Sequence, residues 1–137
     1  MTKVYIAGGW FDLLQMSAVT DIECALIDKG HDVFSPRLDN LGEDGIDWTG
    51  VYNKNLLMID NCDIVIASTE GKDMGTLFEC GYAAARDKKI IYYAPNLDGK
   101  FNLMLAKSAV RVCTSLKELI VCINEGFSEE EYTGSIE

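Results

Sequence analysis

Positive charge is scarce in this chain of 137 residues: 12 Lys and Arg stand against 22 Asp and Glu, a formal charge of −10. Such a surface repels polyanions. Because phosphate neutralisation supplies most of the affinity for DNA or RNA, a nucleic-acid polymer is excluded as a partner. Part of the excess sits in the run Glu129-Glu130-Glu131, which reads as a solvated stretch of a tail over 127–137. Proline occurs twice and histidine once, at His31. A single histidine builds neither a nitrogen-sulfur metal cage nor a Ser-His-Asp relay, so His31 reads as a turn residue. The five cysteines (Cys24, Cys62, Cys80, Cys113, Cys122) are odd in number and lack Cys-x-x-Cys spacing. Disulfides and a zinc site are both disfavoured, and no metal or cofactor is expected. No apolar run approaches the ~20 residues that cross a bilayer. The opening Met1-Thr2-Lys3-Val4-Tyr5-Ile6-Ala7-Gly8-Gly9 goes straight into a strand pattern with no sign of a secretory signal, so a cytoplasmic location is expected.

What is abundant is apolar character, at 48% of residues, enough for one globular domain with one core. Short β-rich runs alternate with longer segments of helical period, the pattern of a parallel sheet covered on both faces. Strands are predicted at Lys3–Ala7, His31–Ser35, Asp63–Ser68, Lys89–Ala94 and Val110–Cys113. The first helix, Phe11–Lys29, aligns Leu14, Ala18, Ile22 and Leu26 and stops at Gly30. A second, Thr49–Asn61, carries Leu56, Leu57 and Ile59 toward the core, and a third runs from Met74 to Asp87. The last, Leu116–Glu125, follows Ser115 with Glu118 three residues on, a capping box. The fold class is therefore α/β: a single-domain, doubly wound, flavodoxin/Rossmann-like five-stranded parallel sheet over 1–126, followed by the tail. In such sheets ligands bind at the carboxyl ends of the strands, which directs attention to the loops Gly8–Asp12, Pro36–Trp48, Thr69–Gly75 and Pro95–Asn102.

The most informative segment is Asp73-Met74-Gly75-Thr76-Leu77-Phe78-Glu79-Cys80-Gly81-Tyr82-Ala83, in which Glu79 is the only charge after Asp73. A lone carboxylate among apolar neighbours loses solvation on folding, which is costly unless something binds it or uses it. A structural role is equally open, since an acidic residue in the first turns of a helix offsets its dipole. Two features favour chemistry. Gly75-Thr76 opens the helix with bare backbone N–H groups, and Asp73 six residues earlier brings a second carboxylate to the same edge. Paired carboxylates suit glycosidic chemistry, one attacking or stabilising the anomeric carbon while another group manages the leaving group's proton.

Five segments, in order and spacing, carry a resemblance: Val4-Tyr5-Ile6-Ala7-Gly8-Gly9-Trp10-Phe11, Val33-Phe34-Ser35-Pro36-Arg37, Val51-Tyr52-Asn53-Lys54-Asn55-Leu56, Gly75 to Ala83, and Phe101-Asn102-Leu103-Met104. Together they resemble the nucleoside 2-deoxyribosyltransferase family over residues 3–124. The resemblance implies an enzyme of nucleotide salvage that exchanges the base of 2′-deoxynucleosides. Glu79 would be the nucleophile on C1′, forming a covalent deoxyribosyl intermediate, with Tyr5 holding Glu79 and Asp73 contacting substrate. It implies substrate contacts at Gly9, Trp10, Asn55, Asn102 and Met104. It further implies a homo-oligomer, a dimer or multiple of dimers, in which Asn102 reaches a neighbour's ligand. From the residues alone Asn102 is an ordinary turn residue. Phe101, Leu103, Met104 and Leu105 form an apolar group that a partner would bury. Trp10, Phe11, Trp48 and Tyr52 either stack on a base or serve as core aromatics. One position departs from the family: Asn55 stands where Asp is usual, and an amide cannot supply a proton as a carboxylic acid does.

Competing readings remain. A nucleotide N-hydrolase would need donors or cations for a 5′-phosphate dianion, yet Gly8–Gln15 contains no Lys, Arg or Ser and does contain Asp12. A riboside-monophosphate phosphoribohydrolase would carry Pro-Gly-Gly where Gly71-Lys72-Asp73-Met74 stands. A non-catalytic flavodoxin-like module would show a phospho-accepting Asp at the end of the third strand or Gly-x-Gly-x-x-Gly after the first, and neither is present.

Overall fold

The computed structural model describes residues 1–40 and 44–137, so of the long loop expected over 36–48 residues 41–43 lie outside the described residues. The elements, in chain order, are β1 Lys3–Ala7, α1 Leu13–Ile27, β2 Asp32–Phe34, α2 Pro36–Asp39, α3 Trp48–Asn61, β3 Ile64–Ser68, a 3₁₀ turn Glu70–Lys72, α4 Met74–Ala85, β4 Lys89–Tyr93, α5 Leu103–Ser108, β5 Arg111–Cys113 and α6 Leu116–Asn124. All strand pairs are parallel, in the order β2-β1-β3-β4-β5. The expected doubly wound five-stranded sheet is therefore the architecture. Strand order reverses at β1 and β3, and the crevice above their carboxyl ends is where such folds bind ligands.

Because side chains alternate along a strand, β1 divides between two cores. Val4 and Ile6 pack with Ala18, Ile22 and Leu26 of α1 and Leu119 and Ile123 of α6. Tyr5 and Ala7 face the opposite layer, with Ile59 of α3, Cys80 and Ala83 of α4 and Ala106 of α5. Every residue of β3, Ile-Val-Ile-Ala-Ser, is buried, as a central parallel strand covered on both faces requires. Replacing fully buried Ile66 by Ala is expected to cost about 2–5 kcal/mol.

Two helical stripes differ from expectation. On α1 the buried row is Gln15, Ala18, Val19, Ile22, Glu23 and Leu26, and Leu14 is 62% exposed. A row of i, i+4 steps is inclined to the helix axis and leaves the sheet after a few turns, so Leu14 rotates out and Gln15 takes its place. On α3 Ile59 is buried, whereas Leu57, two residues away and on another side of the helix, is 56% exposed. Helix α1 also begins at Leu13, because Asp12 is its N-cap and accepts from the Gln15 backbone N–H at 2.9 Å. At the other end Gly30, with φ +77°, stops it as anticipated. The capping box of α6 forms with a shift: Ser115 Oγ accepts from Glu118 N–H, and the Glu118 carboxylate takes the N–H of Thr114, one residue before the cap. His31 accepts from the backbone N–H of Thr2 and lies edge-on to Phe127.

Glu23 is buried in α1, where it accepts from Ser35 Oγ and pairs with Arg37 at 2.6 Å, tying α1 to the start of α2. Residues after Gly126 return over the sheet end: Ile136 pairs with Phe101, and Tyr132 packs on the Phe101 ring at 5.4 Å. Phe101 is consequently buried by its own chain, and the apolar group left uncovered reduces to Leu103 and Met104, 46% and 74% exposed. No helix among the described residues is long and apolar enough to cross a membrane.

Candidate active site

Tyr5 points from the middle of β1 into the α3/α4 layer with its ring fully buried, stacked on Phe34 of β2 at 5.6 Å. Opposite it stands α4, whose inward row is Thr76, Glu79, Cys80 and Ala83, the spacing that brings one face of a helix onto a sheet. The Tyr5 hydroxyl donates to Glu79 Oε2. Burial pushes the Glu79 carboxyl up to about 7; the Tyr5 hydrogen bond opposes that rise, and the charge of Asp73 adds to it. Tyr5 is itself held far above its ordinary range, first by burial and then by the carboxylate beside it, so the phenol is a fixed donor. Held at Oε2, Glu79 retains Oε1 for other partners. Desolvation comes from the sheet and not from the residues next to Glu79 in sequence. Leu77 and Phe78 are 41% and 55% exposed, because successive helical residues point about 100° apart.

Asp73 is the N-cap of α4, and its Oδ2 accepts from the Thr76 backbone N–H at 2.9 Å and the Thr76 hydroxyl at 2.8 Å. The charge effect of Asp73 on Glu79 places both carboxyls in one electrostatic neighbourhood. Gly9, at the carboxyl end of β1, lies directly against Asp73: a Cβ there would stand 3.1 Å from Asp73 Cγ. A side chain there would require Asp73 or Gln15, the latter also 3.1 Å away, to give way. Trp10, beside it, stacks on Phe11 at 5.4 Å, and Phe11 is 75% exposed, which excludes a core role for Phe11. Trp48 and Tyr52 are likewise exposed, and Tyr52 meets Phe78 at 6.1 Å between ring centres. Asn55 lies one turn along α3 from Tyr52, partly buried. Cys80 is no rival nucleophile, since burial pushes its thiol up to about 12.

Tyr5, Gly9, Asp73 and Glu79 are thus brought together at the switch point, with Trp10 and Asn55 on the flanking elements. Asn102 and Met104 are placed elsewhere. They line a cavity of about 1050 Å³ on the β4 side of α4, whose wall includes Asp73, Thr76, Cys80 and Tyr92 but neither Tyr5 nor Glu79. Asn102 is the N-cap of α5, with Oδ1 accepting from the N–H groups of Met104 and Leu105. Inside one chain it therefore performs the structural task that its residue type suggests.

Gln15 escaped the sequence reading. It is 5% exposed, accepts from Phe11 N–H at 2.9 Å and donates to Glu70 O at 3.4 Å. The available signal was Asp12-Leu13-Leu14-Gln15, the spacing of a capping box at the start of an apolar helix.

The family model for nucleoside 2-deoxyribosyltransferase matches residues 4–117. Among solved structures, a 2-deoxyribosyltransferase from the psychrotolerant bacterium Bacillus psychrosaccharolyticus is similar with a TM-score of 0.83 and 26% identity, over 95% of this chain and 98% of that one. A conserved protein from Enterococcus faecalis (TM-score 0.72, 21% identity, 92% and 99% covered) shares the fold. So does a CMP N-glycosidase from Clostridium botulinum (TM-score 0.59, 21% identity, 89% and 98% covered). No curated protein sequence matches significantly. With the family match running from β1 into α6, across the switch point and both carboxylates, this chain belongs to the nucleoside 2-deoxyribosyltransferase family.

Proposed function

We propose that this protein exchanges the base of 2′-deoxynucleosides through a deoxyribosyl ester on Glu79. The observation that carries the reading is the Glu79 carboxylate held at one oxygen by the buried Tyr5 hydroxyl at the switch point, where burial pushes the carboxyl up to about 7. Glu79 Oε1 attacks C1′ as the bond from C1′ to the base nitrogen breaks, and the base leaves with the electron pair and takes up a proton from water. An acceptor base then attacks C1′ from the vacated face, gives up its proton and releases Glu79; two inversions retain configuration. Asp73, with Oδ2 fixed by Thr76, offers its other oxygen to the substrate.

Transfer and hydrolysis differ only in whether a base or water accepts the sugar. Aromatic faces near the crevice, half-buried Trp10 with exposed Phe11 and exposed Tyr52 with Phe78, support a base acceptor. Stacking on such faces is worth about 1–3 kcal/mol per base. A free nucleoside, not a 5′-monophosphate, is supported by the start of α1. The Asp12 carboxylate caps that helix and takes the Gln15 N–H, setting a negative charge where a phosphate would otherwise bind, and the Gln15 side-chain oxygen takes the N–H of Phe11 in the preceding loop. Arg37 is already paired with Glu23. Incubating the protein with thymidine and adenine and separating the products tests the reading. Deoxyadenosine and thymine are expected, deoxyribose with thymine alone would mean hydrolysis, and no turnover of any nucleoside or nucleotide would refute both.

A further inference from the structure

We propose that Gln15 is a positioning residue of this site: its buried carboxamide clamps the loop carrying Gly9 and Trp10 to the turn that delivers Asp73, and so sets where Asp73 meets the substrate. This rests on the reading of Asp73 as a substrate-contacting carboxylate. Both ends of the amide are used. Oε1 accepts from Phe11 N–H at 2.9 Å in the first loop, and Nε2 donates to Glu70 O at 3.4 Å in the 3₁₀ turn before Asp73.

Two glycines are shaped around it. Gly71, at φ +73°, would place a Cβ 2.2 Å from Gln15 Nε2, so its backbone lies against the amide in a conformation that favours glycine. On the opposite side a Cβ on Gly9 would stand 3.1 Å from Gln15 Nε2 and 3.1 Å from Asp73 Cγ. Carboxamide, glycine backbone and catalytic-site carboxylate are therefore packed in sequence, with no slack between them. The turn is fixed on its far side as well, where Thr69 N–H donates to Tyr93 O and the Asn96 amide to Glu70 Oε2. Only a side chain of this length with one acceptor and one donor bridges the two loops. Glutamate keeps the acceptor but faces Glu70 O without a proton to donate, asparagine is a methylene too short, and methionine fills the space and bonds neither loop.

Gln15→Met and Gln15→Glu test this with kcat, KM, melting temperature and amide hydrogen exchange measured on each. Expected is a loss in kcat of ten-fold or more at temperatures where both variants are folded, the size that a misplacement near 1 Å brings. Exchange should accelerate ten-fold or more at both Gly9–Phe11 and Glu70–Asp73. Unchanged kcat in folded variants, or faster exchange in the first loop alone, would overturn the clamp and leave Gln15 a structural residue. Should Gln15→Met fail to fold, Gly71→Ala approaches the same contact from the other loop. Its kcat loss should not add to that of Gln15→Ala in the double variant, whereas additive losses would overturn the proposal. If wild-type protein turns over no nucleoside, the functional reading fails separately, and the exchange pattern still decides whether the two loops are clamped.

Discussion

Tyr5 in β1 and Glu79 in α4, 74 positions apart in the chain, meet through one hydrogen bond at the point where the sheet reverses its strand order. Burial drives the Glu79 carboxyl up and the Tyr5 hydroxyl pulls it back, so the carboxyl ends near neutrality. Changing Tyr5 to Phe removes the opposing effect. The acid limb of kcat/KM, expected near pH 7 in the wild type because Glu79 must be ionised to attack, should move to higher pH in Tyr5→Phe. Rate measurements from pH 5 to 9 on both proteins check it; a limb that stays in place would separate Tyr5 from the titration.

The same burial has a stability consequence. Glu79 binds its proton more tightly in the folded protein than in the unfolded chain, where a carboxyl titrates near 4.5. Between pH 4.5 and about 7 the wild type therefore loses stability as pH rises, by about 3 kcal/mol once the group is fully ionised. Glu79→Gln keeps the shape and removes the charge. Its melting temperature should exceed the wild type's by several degrees at pH 8 and converge with it below pH 4.5, as calorimetry across that range would show.

Free deoxynucleosides should outcompete their 5′-monophosphates. The Asp12 carboxylate caps α1 and takes the Gln15 N–H, and the net charge is −10. Comparing kcat/KM for deoxyinosine and its monophosphate reads this directly, and a ten-fold preference for the phosphate would contradict it.

Asn102 and Met104 line a cavity whose wall includes Asp73 but neither Tyr5 nor Glu79, with Leu103 and Met104 uncovered. A second copy that seats this face against a neighbour's crevice would bring Asn102 to the neighbour's ligand. Mixing inactive Glu79→Ala with inactive Asn102→Ala subunits should then restore part of the activity. No rescue in subunits shown to have exchanged would leave Asn102 as the cap of α5.

Much of this was legible because it follows from periodicity. The five strands lie within a residue or two of their predicted places, since β3 and β4 are nearly unbroken apolar runs that only a sheet covered on both faces accommodates. Glu79 was visible as a lone charge, although its solvent exclusion comes from Tyr5 and the sheet, contacts that no local window contains. Helices α2 and α5, of four and six residues, are too short for a helical period to register. Gln15 and Glu23 were hidden for a different reason: both are polar residues inside the buried row of α1, and their partners Glu70 and Arg37 are supplied by the 3₁₀ turn and by α2. The docking of the last residues rests on backbone hydrogen bonds of Phe101 with Ser135 and Glu137 and of Leu103 with Glu137, distant pairings to which only the apolar Tyr132 and Ile136 in a polar stretch pointed.

The central claim is that Glu79 becomes covalently bonded to C1′. A 2-fluoro-2-deoxynucleoside slows release of the sugar more than its capture, so incubation followed by digestion and mass spectrometry locates the bond. The account predicts one fluorodeoxyribosyl mass on the peptide containing Glu79 and none on the Glu79→Gln protein. A label on Asp73 or any other residue, or full turnover by Glu79→Ala, would contradict it.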